Sequence, residues 1–225
     1  MSSSVSENRI VHCPHCGADV SAKIVSVIVP EDEKAMAALY AGSLNCPLCK
    51  ACHNRFAVSS PLVYKDAEHA LIITQMEAPV DGNTSELEME LDCLATDMAV
   101  EQGIARPTVR LTVNRPDFIE MVSLFRAGMD DRLIEYAKSQ LFRNIDESRL
   151  SIRRHRLFYD FTNPDETKLV FLVYDKEAEC NVTAVHVPME DFRTLEKEFA
   201  ESDELKLELD SLFPSCVVSV ERLIL

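Results

Sequence analysis

The sequence is poor in glycine and in positive charge, and it has no long apolar run. Five glycines among 225 residues leave little material for a loop that cradles phosphate. Neither a Walker loop nor a Gly-x-Gly-x-x-Gly string occurs. A Gly-x-Ser-x-Gly elbow and a His-Glu-x-x-His pair are also missing. These gaps argue against nucleotide-dependent catalysis and leave only an unfamiliar kind of enzyme open. No apolar stretch reaches the roughly 20 residues that cross a bilayer. Residues 1–9 lack the apolar centre of a signal peptide. A cytoplasmic protein is expected. Thiols stay reduced there, so paired cysteines point to metal or redox chemistry before disulfides.

Lysine and arginine number 23 against 38 aspartates and glutamates, a net charge of −15. Through Val80, six basic residues face eight acidic ones, so most of the excess lies further on. Such a chain repels phosphate backbones at long range, although a local basic patch can still form. With 47% hydrophobic and 27% charged residues, the composition supports a packed core and not disorder.

The pattern of residues predicts a strand over 20–29 and a short helix over 31–41, closed by Gly42. Two more strands are expected over 56–64 and 70–76. Pro79, Asp81 and Gly82 mark a linker. Ser85 and Glu88 then have capping-box spacing. Leu87, Leu91, Leu94 and Met98 share one helical face, opposite Glu86, Glu90, Asp97 and Glu101. Beyond 109, strands and helices alternate. Asn114 caps a helix carrying Phe118, Met121, Val122 and Phe125, and a second helix follows Gly128. Strands are expected over 157–161, 168–174 and 182–187. Two helices then lead to Pro214, and a last strand covers 216–223.

Eight cysteines stand out against this background. Cys13-Pro14-His15-Cys16-Gly17 has the form of a zinc knuckle. Two thiolates grip one ion, proline tightens the turn, and glycine permits a positive φ. The second half, Cys46-Pro47-Leu48-Cys49-Lys50-Ala51-Cys52-His53, contains two overlapping pairs. Val20 lies four residues after Cys16 and opens a strand. Phe56 lies four residues after Cys52 and can do the same, whereas the matching residue for Cys49 is His53. This register selects Cys13, Cys16, Cys49 and Cys52 as ligands of one structural zinc. Cys46 and His53 stay open as substitutes. A gap of 32 residues separates Cys16 from Cys49. It exceeds the usual ribbon spacing of about 15–20 and accommodates the strand and short helix. Cys-Pro-His-Cys also serves in disulfide oxidoreductases, but there the first cysteine opens a helix. Here a glycine and a β-rich run follow.

With these motifs in place, the chain resembles the CpXC family of bacteria and archaea, named for two Cys-Pro-x-Cys motifs. The resemblance rests on Cys13 to Gly17, on Gly42-Ser43-Leu44-Asn45 before the second pair, and on Pro61-Leu62-Val63-Tyr64-Lys65-Asp66. A weaker likeness covers Leu124 to Arg132. Counting between anchors puts the second family pair at Cys49 and Cys52. Lys50 there replaces the family's proline, and His53 its glycine. The family is functionally uncharacterised, so the resemblance implies an architecture and no activity.

The resulting expectation is an α+β protein: an N-terminal zinc ribbon with an inserted short helix over 9–78, an acidic linker and helix over 79–108, and a mixed helix and strand region over 109–225. Asp130, Asp131 and Arg132 open a helix and are read as capping residues. Cys93, Cys180 and Cys216 are read as small core residues. The expected role is a zinc-stabilised protein-interaction or assembly module without its own catalysis, with a protein partner and no membrane partner. One alternative is a nucleic-acid accessory protein that uses the ribbon and a basic cluster at Arg143, Arg149, Arg153, Arg154 and Arg156. Another is an enzyme with a site between the two regions.

Overall fold

A computed structural model describes residues 3–224 of the chain. It is a mixed α+β protein, as expected, whose strands form a five-stranded and a three-stranded sheet. The chain divides into two compact units, Met1–Ile119 and Glu120–Leu225. Among the described residues no helix is long and apolar enough to cross a membrane.

The first unit is built on a sheet of order β1-β2-β3-β4-β5. Its strands are β1 (Val5–His12), β2 (Asp19–Ile28), β3 (Leu62–Asp66), β4 (Leu71–Gln75) and β5 (Thr108–Thr112). β1 and β2 form an antiparallel hairpin, as do β3 and β4. The parallel pairs β2·β3 and β4·β5 are each bridged by a crossover carrying a helix, the arrangement parallel neighbours require. These helices are α1 (Glu33–Tyr40) and α2 (Ser85–Gln102). Alternation along β2 buries Val20, Ala22 and Ile24, and β3 and β4 add Leu62, Tyr64, Leu71 and Ile73. Asp32 caps α1 by accepting from the Ala35 N–H at 3.0 Å, and Met36 and Leu39 anchor its inner face.

Several expectations shift in this unit. β1 was not anticipated. It is an edge strand carrying Glu7 and Arg9, and most of its residues are exposed, so it lacks the alternation that marks a half-buried strand. The strand expected over 56–64 shortens to Leu62–Asp66, because Pro61 has no N–H and Phe56 turns inward near the cysteines. Thr84, not Ser85, is the N-cap of α2, with its hydroxyl donating to Glu88 Oε1 at 2.6 Å. On that helix Ala95 is the buried residue, and Leu94 lies exposed instead of inside. β5, expected as the first strand of the region over 109–225, pairs with β4 at the edge of the first sheet.

The second unit carries an antiparallel sheet of β6 (His155–Tyr159), β7 (Lys168–Asp175) and β8 (Cys180–Pro188). Helix α3 (Arg115–Arg126) crosses the division between units, followed by α4 (Asp131–Asn144), α5 (Met189–Glu201), α6 (Asp203–Leu212) and a short α7 (Glu221–Ile224). Asn114 accepts from the Asp117 N–H at 3.0 Å, the cap read from the sequence. Asp130 caps α4 through the Arg132 N–H at 2.9 Å, so the acidic pair does serve a helix end. The strand expected over 216–223 is instead irregular chain leading into α7. Cys93 and Cys180 are exposed, not core residues, because the outer faces of α2 and β8 are uncovered.

At the centre of this unit lies a charge cluster that the sequence does not advertise. Lys138 donates to Glu120 at 2.8 Å and to Glu135 at 2.5 Å, with all three side chains at most 10% exposed. Glu120 also accepts from the Tyr159 N–H and Glu135 from the Val220 N–H. The cluster therefore ties α3, α4, β6 and the C-terminal segment together. Burial is the largest influence on Glu135, only partly offset by the Lys138 charge, and pushes its carboxyl from 4.5 up to about 7.

Replacing Lys138 with methionine strands two buried carboxylates and is expected to cost about 3–5 kcal/mol in urea unfolding. Because the folded form holds the Glu135 proton more tightly, its contribution is complete below pH 4.5 and vanishes as pH rises through about 7. Glu135→Gln should flatten that fall, measured as urea midpoints between about pH 5 and pH 8.

Candidate metal centre

The sulfur atoms of Cys13, Cys16, Cys49 and Cys52 all lie within 4.8 Å of one another. Each pair sits in the same kind of turn. In the β1–β2 connection, the Cys13 N–H donates to the Ala18 carbonyl at 2.9 Å, and the Gly17 N–H donates to the Cys13 carbonyl at 2.8 Å. In the second turn, the Cys49 N–H donates to the Asn54 carbonyl and the His53 N–H to the Cys49 carbonyl, both at 2.9 Å. His53 thus stands where Gly17 stands in the first turn. It adopts φ +58° against +72° for Gly17. The turn forms without glycine, but a side chain in the left-handed region carries strain.

Asn45 places the second turn. It is buried at φ +59°. Its side-chain amide accepts from the Val25 N–H at 2.8 Å and donates to the Val25 carbonyl at 2.9 Å. That is the pairing a neighbouring strand would give. β3 reaches only Val27 and Ile28 of β2, so the amide occupies an edge that would otherwise stay open. Asn45 lies in the Gly42-Ser43-Leu44-Asn45 segment, whose role composition alone does not reveal. Beneath the sulfurs, Val20 and Phe56 pack with Cys13 and Cys49 in one small apolar cluster. Phe56 thus takes the packing place after Cys52 that Val20 takes after Cys16, but it does not open a strand as expected.

The geometry suits a tetrahedral ion. Metal–sulfur bonds of about 2.3 Å give sulfur–sulfur edges of about 3.8 Å. Cys13 lies 3.7 Å from Cys52, and Cys16 lies 3.6 Å from Cys49. Both separations far exceed a disulfide bond of about 2.05 Å, and all four are free thiols. The sulfurs also compete for ionisation. Two backbone N–H groups near Cys49, those of Cys52 first and Ala51, outweigh its burial and hold it down at about 7. The Ala18 N–H favours the Cys16 thiolate most, but desolvation and the other three sulfurs override it and push it up to about 12. Four adjacent thiols are a donor set suited to a soft divalent ion.

Cys46 lies outside this group and directs its thiol to the Gly42 and Leu44 carbonyls at 3.4 and 3.6 Å. His53 contributes backbone to the turn, and its ring is not part of the cluster. His12 pairs with Asp19 at 2.6 Å at the root of the hairpin. Asp66, at the end of the Tyr-x-Asp stretch, accepts from the Glu68 and His69 N–H groups and from the His69 ring, capping the β3–β4 turn. Hydrogen bonding to Asp66 raises the His69 pKa.

The arginine cluster divides. Arg154 binds Asp175 at 2.8 Å. Arg156 pairs with Glu221 at 3.7 Å and lies over the Phe158 ring, 5.2 Å from its centre. Arg143 and Arg153 line a depression of about 720 Å³ at the end of α4, together with Asp146 and Glu147. Arg149 is exposed nearby in the chain.

Two paired-thiol turns that bring four cysteines together within an α+β unit fit a zinc-ribbon-like site. The chain belongs to the CpXC protein family, whose model matches residues 11–138, more than half of its length. No curated protein and no solved structure matches it.

The turn geometry carries its own test. His53→Gly should remove left-handed strain and stabilise the metal-loaded protein by about 1 kcal/mol, read as a higher thermal midpoint. The variant Gly17→Ala should shift the midpoint the other way.

Proposed function

We propose that the centre binds one zinc ion through Cys13, Cys16, Cys49 and Cys52, and that the protein is a zinc-stabilised protein-interaction or assembly module without its own catalysis. The observation that carries this reading is the closed donor set. Four thiolates fill a tetrahedral shell and leave no position for water or substrate, which makes the ion structural. Such binding typically supplies about 10–16 kcal/mol to its local unit. Here it would clamp the β1–β2 turn to the turn that Asn45 holds against β2. Eight free thiols, four of them adjacent, suit a reducing compartment such as the cytoplasm.

The test has two parts. Metal analysis of the purified protein should return one zinc per chain. Serine at position 13, 16, 49 or 52 should abolish it, and Cys46→Ser should leave it intact. Zinc-loaded protein and a ligand variant should then be used to capture partners from native lysate treated with nuclease. A stoichiometric protein that the ligand variant fails to retain supports the module reading. Capture of nothing by the loaded protein counts against it.

A second reading, nucleic-acid binding, draws on Arg143, Arg149 and Arg153, which have no ion pair within the described residues. Arg154 and Arg156, the other members of the expected patch, are engaged by Asp175 and Glu221. If this reading holds, RNA or DNA retention should fall steeply with salt and drop further in Arg149→Glu, Arg153→Glu protein.

A further inference from the structure

Helix α2 is the longest helix among the described residues, yet only Ala95 is buried on it. Its outer face is organised into two adjacent ridges. Met89, Cys93 and Val100, at positions i, i+4 and i+11, form an apolar ridge. Met89 is 63% and Val100 78% exposed. Glu86, Glu90, Asp97 and Glu101 repeat the same spacing one ridge over, and all four are exposed. Leu94, 56% exposed, borders the acidic ridge on its far side. The helix contains no lysine or arginine. Solvated helices of globular proteins normally turn charge outward and apolar side chains inward. A helix that turns both outward in register presents a patterned surface to a partner.

We infer that α2 docks a basic amphipathic helix from another protein. The occupant carries an apolar stripe that covers Met89, Cys93 and Val100, and beside it a row of lysines or arginines that meets the acidic ridge. Charge selects this occupant. A second copy of the chain would set one acidic ridge against another, with no base on the helix to separate them, and like charges so juxtaposed oppose pairing. This inference rests on the interaction-module reading and specifies its surface and the chemistry of its partner.

The probe is a synthetic 18-residue amphipathic helix of leucine and lysine, titrated calorimetrically into zinc-loaded full-length protein. A double variant, Met89→Glu with Val100→Glu, changes two exposed side chains to a good helix former. Circular dichroism and zinc content check its fold. The wild-type protein is expected to bind the peptide, and the double variant to bind at least tenfold more weakly despite two added negative charges. Binding that is unchanged or stronger in the variant would mean that charge alone attracts the peptide, and would overturn the proposal. So would failure of the wild type to bind. Self-association of the free wild type that the variant abolishes would assign the ridge to a second copy and overturn it equally. The peptide titration does not depend on lysate capture, so the two readings fail separately.

Discussion

Four sulfur atoms of the first unit lie within 4.8 Å of one another, and holding them that close depends on how two distant turns are placed. The two thiol turns lie far apart in sequence, separated by β2 and α1, and no regular strand pairing joins them. What brings them together is a side chain acting as backbone. The Asn45 amide pairs with Val25 and fixes where the chain re-enters after α1. The apolar pair Val20 and Phe56 then sets the depth of the sulfurs. The amide and the apolar contact thus act on the same turn, and the proposed ion would tie it to the first turn.

The second unit is held by a different principle. Its core contains one ammonium and two carboxylates instead of a purely apolar junction. Such a cluster is a poor source of net stability, because desolvation consumes most of its attraction. It is a good source of specificity, since each carboxylate has one partner geometry and leaves a large penalty if misplaced. Glu120, Glu135 and Lys138 all fall inside the family-matched segment, whereas Tyr159 and Val220, whose N–H groups complete the cluster, lie beyond it.

Much of this was legible in the sequence, and the rest was hidden for definable reasons. The α+β class, the β2 strand and α1 follow from local pattern, because each element depends on residues close in the chain. The capping roles of Asn114 and Asp130 are local in the same way. β1 escaped notice because an exposed edge strand has no buried face to generate alternation. The outward position of Leu94 escaped because a helix with apolar residues on several sides gives a periodicity argument more than one answer. The Asn45–Val25 pairing and the Glu120–Lys138 contact escaped because the partners lie 20 and 18 residues apart, a distance at which no motif speaks.

The four sulfurs of the candidate centre are not equally sheltered. Cys13 and Cys49 are almost fully enclosed, Cys52 is partly covered, and Cys16 faces solvent. An oxidant therefore meets the Cys16 sulfur before the others. With an ion bound as proposed, attack there would leave three anchored ligands and free the β1–β2 turn first, so the lifetime of such a site under oxidative stress would follow the exposure of one sulfur.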